Sequence, residues 1–394
     1  MDMSELSEFE ISRGGASSRP SIWTWNGSPA ISIMAMRSVL PFLSARIGYP
    51  WTARTQGGRR AEFGRRTSAR LKDAGPVPGL SADSPMLQFL ATSSPFFAVI
   101  AVGVLAARRR GLFGPDAVKV LNTFAFMIAT PAMVVRVMAR QPIAELWNPL
   151  YVAGLALVAV VLLFSGLLAA RRLAGLPFPD AVSRGQCLVG GNFAFLGIPL
   201  TMAFLGERAA APVAMGLICD TALVVPLAIG LIEAGRGVGR PGAIAWRLAK
   251  GTVVNPFMLS ILAGAGLSLS GIALPEPADR FLGFLGGAAA PAGVFALGLA
   301  LSQWMRPDLW RIAPLALAKL IVHPAAVWGA LSAIGLDPFW VKAGVLYAAV
   351  PVAANAFVIA ERYGTGDKPV AGAILVSTAL ATLTFPMTVW LVSG

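Results

Sequence analysis

Two asparagines lie next to residues that interrupt helices, each inside an apolar stretch of the chain. Asn192 follows a glycine pair in "GGNFAFLGIPL", and Asn355 follows a proline in "VPVAANAF". Glycine lets a helix unwind, and proline removes a backbone donor and clashes with the preceding turn. A carboxamide donates and accepts hydrogen bonds without the desolvation cost of a full charge. The two segments therefore predict opened helices that present neutral polar groups to a ligand.

The helix-breaking residues extend this prediction to an anion-binding site. Half-helices that begin at such breaks point the positive ends of their dipoles at the opening, which favours a carboxylate. Inside a membrane, opened backbone is tolerated only where it is buried in protein or lines a watery cavity. A proline kink with asparagine as a packing contact between helices is the alternative interpretation. The candidate site residues are Gly190, Gly191, Asn192, Pro199, Pro351 and Asn355.

Three ionisable side chains, Asp220, Lys319 and His323, also lie inside apolar stretches. Such groups are costly in a bilayer and usually face a cavity or each other. Lys319 and His323 are four residues apart and therefore share a helix face, and a histidine can exchange protons at physiological pH. We expect Asp220 to pair with Lys319 or to take part in proton coupling. A static buried salt bridge and a hydrogen-bonded packing histidine are the alternatives.

The elements that must position these residues are predicted membrane helices. The chain has 394 residues, of which 56% are hydrophobic and 13% charged, whereas about a quarter of a soluble domain is charged. A bilayer core is crossed by about 20 apolar helical residues. We predict an all-α integral membrane protein with ten spans, at 88–107, 117–136, 150–170, 185–205, 211–232, 252–271, 281–301, 312–333, 341–360 and 370–391.

An internal repeat relates the first five spans to the last five. The segment "SPFFAVIAVGVL" from Ser94 is similar to "NPFMLSILAGAG" from Asn255, and nearly the same offset relates Asn192 to Asn355. Because five is an odd number, the second copy enters the membrane with the opposite orientation. Inverted repeats of this kind occur in secondary transporters, with binding sites at the midplane between the copies. A duplication retained only for packing is the alternative.

Charge and composition define the predicted domains. Lys and Arg are concentrated in the loops after odd-numbered spans, which places these loops in the cytoplasm and both ends of the ten-helix body outside. Residues 1–85 are rich in Arg, Ser, Gly and Pro, and we expect them to be disordered or absent from a native protein that starts at Met86. The first repeat then occupies 86–235, a basic cytoplasmic linker 236–251, and the second repeat 252–394.

The ten-span body resembles the auxin efflux carrier family. The resemblance lies in "GNFAFLGIPLTMAFLGE" of span 4, "VPVAANAFVIAERYG" of span 9 and "LNTFAFMIATPA" of span 2. It implies a fold related to bile-acid:sodium symporters, with broken helices 4 and 9 crossing in a mobile domain that moves like an elevator against spans 1, 2, 6 and 7. The central loop, about 233–251, lacks the long insert of the plant carriers. This implies a bacterial-type permease for a small mono- or dicarboxylate in the bacterial inner membrane.

The sequence therefore favours a secondary transporter of a small organic anion, with an integral-membrane enzyme or a channel as alternatives. One histidine and two cysteines are too few for the usual metal sites, and no nucleophile elbow or phosphate loop occurs. No filter-like motif points to a channel. We expect no cofactor and no nucleic acid partner, since the basic residues flank spans. Expected partners are the lipid bilayer and, through the scaffold helices that the resemblance implies, a second copy. Proton coupling, sodium coupling and uniport stay open.

Overall fold

The computed structural model describes residues 85–109, 112–114, 116–141, 147–237, 241–304 and 311–393. Their regular structure is helical. The first half comprises α1 Pro85–Ala107, α2 Ala117–Arg140, α3 Pro149–Ala174, α4 Phe178–Val189, α5 Phe193–Leu205 and α6 Glu207–Gly235. The second half comprises α7 Pro241–Val253, α8 Pro256–Ser270, α9 Glu276–Gly287, α10 Ala289–Trp304, α11 Ala313–Ala333, α12 Pro338–Ala348, α13 Ala354–Arg362 and α14 Asp367–Ser393.

Seven segments of the described chain are long and apolar enough to cross a membrane, namely α1, α2, α3, α6, α9 with α10, α11 and α14. They coincide with predicted spans 1, 2, 3, 5, 7, 8 and 10. Helix α8 coincides with span 6, and α7 and α8, which are bent by 50° at their junction, count as an eighth span if taken together. Predicted spans 4 and 9 are each interrupted, between α4 and α5 and between α12 and α13. The predicted all-helical membrane architecture is confirmed at this level.

Local sequence fixes where three of the helices begin. Asn148, Asn255 and Asp337 precede the first residues of α3, α8 and α12, and each side-chain oxygen accepts a hydrogen bond from a backbone N–H of the first turn, at 3.0, 2.9 and 2.9 Å. A proline follows each cap, where its fixed φ suits a helix and its missing N–H costs nothing. The starts of these helices are therefore encoded by short Asn-Pro and Asp-Pro pairs.

The long helices are apolar on their outer faces as well as in the core. On α3, Leu155 and Leu163 are buried, whereas Leu157 and Val161 are exposed at the protein surface. A helix that is apolar all round is typical of a membrane span, since its outer side chains contact lipid. The exposed apolar faces are thus the lipid-facing surface of an integral membrane protein.

The structure describes the region of one domain prediction and not that of another. The prediction for residues 1–85, including a start at Met86, lies outside the described residues except at the first turn of α1. The predicted linker 236–251 contains most of helix α7, which the sequence analysis did not anticipate. Pro241 is compatible with a helix start, because the first helical position needs no backbone donor.

Candidate functional site

The breaks in predicted spans 4 and 9 are in direct contact. The backbone N–H of Asn192 donates to the carbonyl of Pro351 at 2.8 Å, and Gly191 and Val352 form an isolated antiparallel bridge. The N–H of Val352 in turn donates to the hydroxyl of Ser377 at 3.1 Å. The Asn192 N–H and the Pro351 carbonyl are thereby satisfied by each other, and the Val352 N–H is satisfied by α14, which stabilises the breaks in an apolar surrounding.

Glycine is required at the point where the two breaks touch. A Cβ atom on Gly191 would lie 2.4 Å from the ring of Phe193 and 2.9 Å from the side chain of Val350. Its neighbour Gly190 ends α4, and the N–H of Gly190 donates to the carbonyl of Gln186 at 2.7 Å. The glycine pair therefore closes one half-helix and lets the other break approach closely.

A cavity of about 520 Å³ lies beside the joined breaks. Residues from α2, α5, α6, α7, α8 and α13 line it, and most of the lining is apolar. The polar side chains of the lining include Asn122, Asn192, Asp220, Arg247 and Asn355. Asn192 is 6% exposed, and its carboxamide has no hydrogen-bond partner within the described part of the chain. That carboxamide is free to bind a ligand in the cavity.

The cavity brings together some of the predicted site residues and leaves others out. Four of them line it, namely Gly191, Asn192, Asp220 and Asn355. Gly190, Pro199 and Pro351 are absent from the described lining. Pro351 contributes its carbonyl to the contact between the breaks, and Pro199 lies in the first turn of the α-helical part of α5, beyond the opening.

Lys319 lies behind the break in span 9. It is fully buried, and its ammonium donates to the carbonyl of Ala348, the last residue of α12, at 2.8 Å. The same nitrogen is 2.7 Å from Nδ1 of His323 and 5.5 Å from the ring centroid of Phe193, which stacks on Tyr347 with 3.8 Å between centroids. Lys319 thus satisfies an orphaned carbonyl at the end of a half-helix and underlies the floor of the cavity.

Asp220 separates the main cavity from this buried group. It is buried in α6, and it lines both the main cavity and a pocket of about 10 Å³ that it shares with His323. Among the described residues, Asp220 and Lys319 form no direct ion pair, so a static salt bridge between them is not what the structure holds. No group of three or more His, Cys, Asp or Glu in the described segments is arranged to hold a metal ion.

Three widened turns line the cavity as well. Residues 125–129 of α2, 193–197 of α5 and 220–224 of α6 form π-helical turns. Phe126, Phe193 and Asp220 of these turns all contribute to the lining. π-turns inside α-helices occur frequently at functional sites because they redirect side chains. No sequence pattern used above identifies such turns.

A network of charged and hydrogen-bonded side chains beside the cavity is not predicted from the sequence. Arg247 of α7 lines the cavity and forms an ion pair with Glu233 of α6, whose carboxylate accepts a hydrogen bond from the Tyr363 hydroxyl at 2.7 Å. Arg236 donates to the Tyr363 carbonyl. Burial, followed by the hydrogen bond to the Glu233 carboxylate, raises the pKa of Tyr363 above its ordinary value, so the phenol stays a donor. We call Glu233, Arg247 and Tyr363 the mouth network.

The basic residues of the 236–251 segment were interpreted only as orientation charges, which is why Arg247 was overlooked. Glu233 lies 13 residues along α6 from Asp220, which corresponds to about 20 Å at 1.5 Å per helical residue. Tyr363 lies 8 residues along the chain from Asn355, about 12 Å at the same rise, so the backbone of the mouth network is separate from the joined breaks.

The chain matches the model of a family described as membrane transport protein, over residues 90–239 and 240–391. It is 33% identical over 302 residues to a protein of Rhizobium meliloti (strain 1021) named "Putative malonate transporter", with 74% of this chain and 91% of that protein covered. It is 24% identical over 285 residues to an "Uncharacterized transporter" of Methanothermobacter thermautotrophicus, with 70% and 90% covered.

Proposed function

Because the chain belongs to the membrane transport protein family, which includes the auxin efflux carriers that its sequence resembles, we propose that it is a secondary active transporter of a small organic anion. It is a multi-pass integral membrane protein. The observation that carries the proposal is the pair of joined helix breaks, which open into a cavity containing the free carboxamide of Asn192. The name of the Rhizobium relative makes malonate, a dicarboxylate, the first candidate among mono- and dicarboxylates.

The proposed substrate site lies at the breaks. Helices α5 and α13 both begin at the cavity, so the positive ends of their dipoles favour a carboxylate there. Asn192 and Asn355 add side-chain donors from the two halves of the chain. Gly191 lets the backbone approach, and Gly190, Pro199 and Pro351 shape the breaks without lining the cavity.

Helix packing supports two inverted five-helix repeats. Helix α1 (span 1) packs on α10 (span 7), and α8 (span 6) packs on α2 (span 2). Span 6 is the repeat partner of span 1 and span 7 that of span 2, so the two contacts are equivalent in the two repeats. In both, a glycine makes the approach close. A Cβ on Gly103 would be 2.4 Å from the Phe295 carbonyl oxygen, and one on Gly264 would be 2.8 Å from the Val135 carbonyl oxygen. The α3–α4 and α11–α12 contacts are related in the same way. Ten spans, with broken helices 4 and 9 crossing at the bridge, satisfy this symmetry.

We further propose that transport follows an elevator-like movement. The cavity lies between α2 and α8, which belong to the proposed scaffold of spans 1, 2, 6 and 7, and the broken helices of the proposed mobile domain. In this arrangement the protein resides in the bacterial inner membrane with both ends of the ten-helix body outside, and a second copy pairs through the scaffold. Coupling to a proton or sodium ion would use the buried group of Asp220, Lys319 and His323.

The function is tested by flux into proteoliposomes that contain the purified full chain, with a panel of labelled mono- and dicarboxylates that includes malonate. Saturable, stereoselective uptake is expected. Currents at channel rates, or chemical conversion of the solute, would contradict a carrier. Imposed proton and sodium gradients in the same vesicles identify the coupling ion, and Asp220→Asn protein whose transport kept its full pH dependence would exclude Asp220 from coupling.

A further inference from the structure

The cavity contains one positive side chain among its described lining residues, and this side chain belongs to the linker helix and not to the joined breaks. Arg247 and Asp220 are the charged residues of that lining, and Arg247 comes from the linker helix α7. A carboxylate that enters a largely apolar cavity, whose other ionisable side chain is the carboxyl of Asp220, needs a positive partner to offset its desolvation. The planar guanidinium of arginine matches a carboxylate with two parallel hydrogen bonds.

The ion pair that holds Arg247 is built asymmetrically. The Arg247 side chain is 62% exposed, whereas the Glu233 side chain is 7% exposed. Glu233 also keeps the hydroxyl of Tyr363 as a second donor. If Arg247 turns away, the buried carboxylate retains a hydrogen bond, and the solvated guanidinium loses little. Exchange of Glu233 for another carboxylate is therefore less costly than breaking an isolated buried pair.

Resting on the proposed function, we propose that the mouth network is an anion-docking station, separate from the substrate site at the breaks. An incoming carboxylate replaces Glu233 on Arg247, and Tyr363 holds Glu233 in the meantime. The ligand then moves along the cavity to Asn192 and Asn355. Tyr363 is 8 residues along the chain from Asn355, and the separation of about 12 Å along α13 is longer than a small mono- or dicarboxylate, so one ligand does not occupy both places at once.

The station also connects the linker to a broken helix. Tyr363 directly follows α13, which carries Asn355 in its first turn, and Arg247 lies on α7. Docking a carboxylate on Arg247 releases α7 from Glu233 while the Glu233 and Tyr363 contact between α6 and α13 persists. Anion arrival thus changes the contact of the linker helix α7 and leaves the end of the helix that carries Asn355 held to α6.

The test compares four variants of the full chain in proteoliposomes with the same carboxylate panel. Arg247→Gln should lower uptake at subsaturating concentration by about tenfold or more, since electrostatic steering contributes 10-fold or more to capture, while the maximal rate changes by less than about threefold. Arg247→Lys should retain part of the capture. Lys250→Gln is the matched control, because this substitution also removes one positive charge from α7. Lys250 is exposed and lies outside the cavity lining. This variant should stay within about twofold of the parent chain.

Removing the competitor provides the second arm. Glu233→Gln should raise uptake at low substrate concentration, because the carboxylate no longer competes with Glu233 for Arg247. A fall in that uptake, or equal effects of Arg247→Gln and Lys250→Gln, overturns the docking station while the parent chain still transports. The maximal rate of Arg247→Gln reports that the variant is folded. Absence of saturable uptake by the parent chain overturns the proposed function and the station with it.

Discussion

Asn192 and Asn355, the two asparagines at the helix breaks, differ in their exposure. Asn192 is buried at the bridge, and Asn355 is exposed in the first turn of α13, yet both line the cavity. Lys319, also predicted as a site residue, turns away from the cavity to the carbonyl of Ala348. At the residue scale, the two carboxamides line the cavity, and the buried Lys319 side chain supports the backbone of the break.

Replacing either asparagine by alanine should weaken carboxylate binding. Asn192→Ala and Asn355→Ala each remove donors from the proposed site, and loss of a hydrogen bond to a charged ligand costs about 1.5–3 kcal/mol, or roughly 10- to 150-fold in affinity. The measurement is the rise in thermal midpoint of the purified protein with increasing malonate. Asn148→Ala is the control, since Asn148 caps α3 outside the cavity lining. Equal ligand-induced shifts in all four proteins would exclude the asparagines from the site.

The broken helices are the elements on which the site depends. Each half-helix is too short to cross a bilayer, and each break is satisfied by the other through the bridge between Gly191 and Val352. Residues 193–197 then continue as a π-turn, which places Phe193 over the ammonium of Lys319. The site is therefore a property of two contacting breaks and not of either helix alone.

Gly191→Ala should separate the two breaks. The new Cβ would lie 2.4 Å from the Phe193 ring, a distance that requires the ring or the backbone to move. We expect carboxylate uptake to fall at least tenfold and the thermal midpoint to decrease. Gly329→Ala is the matched control, because a Cβ there meets nothing within 4 Å and alanine favours a helix by up to about 1 kcal/mol. Parent-like uptake by Gly191→Ala would show that the close approach is dispensable.

At the scale of the whole molecule, the paired helix contacts support a duplicated architecture. Ion pairs at the end of the molecule away from the mouth network join the two halves, as Asp279 of α9 accepts from both Arg136 and Arg140 of α2 at 3.0 and 2.6 Å. The mouth network joins α6, α7 and the end of α13 at the other end. Both ends of the cavity-bearing body are therefore tied by charged contacts between elements distant in sequence.

Cysteine labelling in intact expressing cells tests the inverted orientation of the repeats. Gly114 lies after span 1, and Ser270 is the last residue of α8 at the corresponding end of span 6 in the other repeat; both are exposed. Ser270→Cys should react with an impermeant maleimide from outside, whereas Gly114→Cys should react only after permeabilisation. The native Cys187 and Cys219 are buried, so the parent chain gives a low background. Labelling of both positions from the same side would contradict an inverted repeat.

The sequence by itself determined the membrane class, most span positions and the location of both breaks. These follow from local chemistry, because a run of apolar residues, an Asn-Pro cap or a glycine pair acts on the backbone within a few residues. For the same reason, the sequence alone predicts a helix break at Gly191 and Asn192, and both residues line the cavity. Helix α7 was missed because its residues were interpreted only as a charged linker.

Only the tertiary structure decided which residues share the cavity. Asn192 lines the cavity, whereas Pro199, seven residues later, does not. Arg247 lines it from a different helix. The direction of Lys319 toward Ala348, and the pairing of Glu233 with Arg247 and not with solvent, depend in the same way on neighbouring helices. These side-chain contacts depend on how the helices rotate and pack, and some of the helices are more than a hundred residues apart in the chain. Hydropathy and helix-breaking residues carry no information about helix rotation or packing.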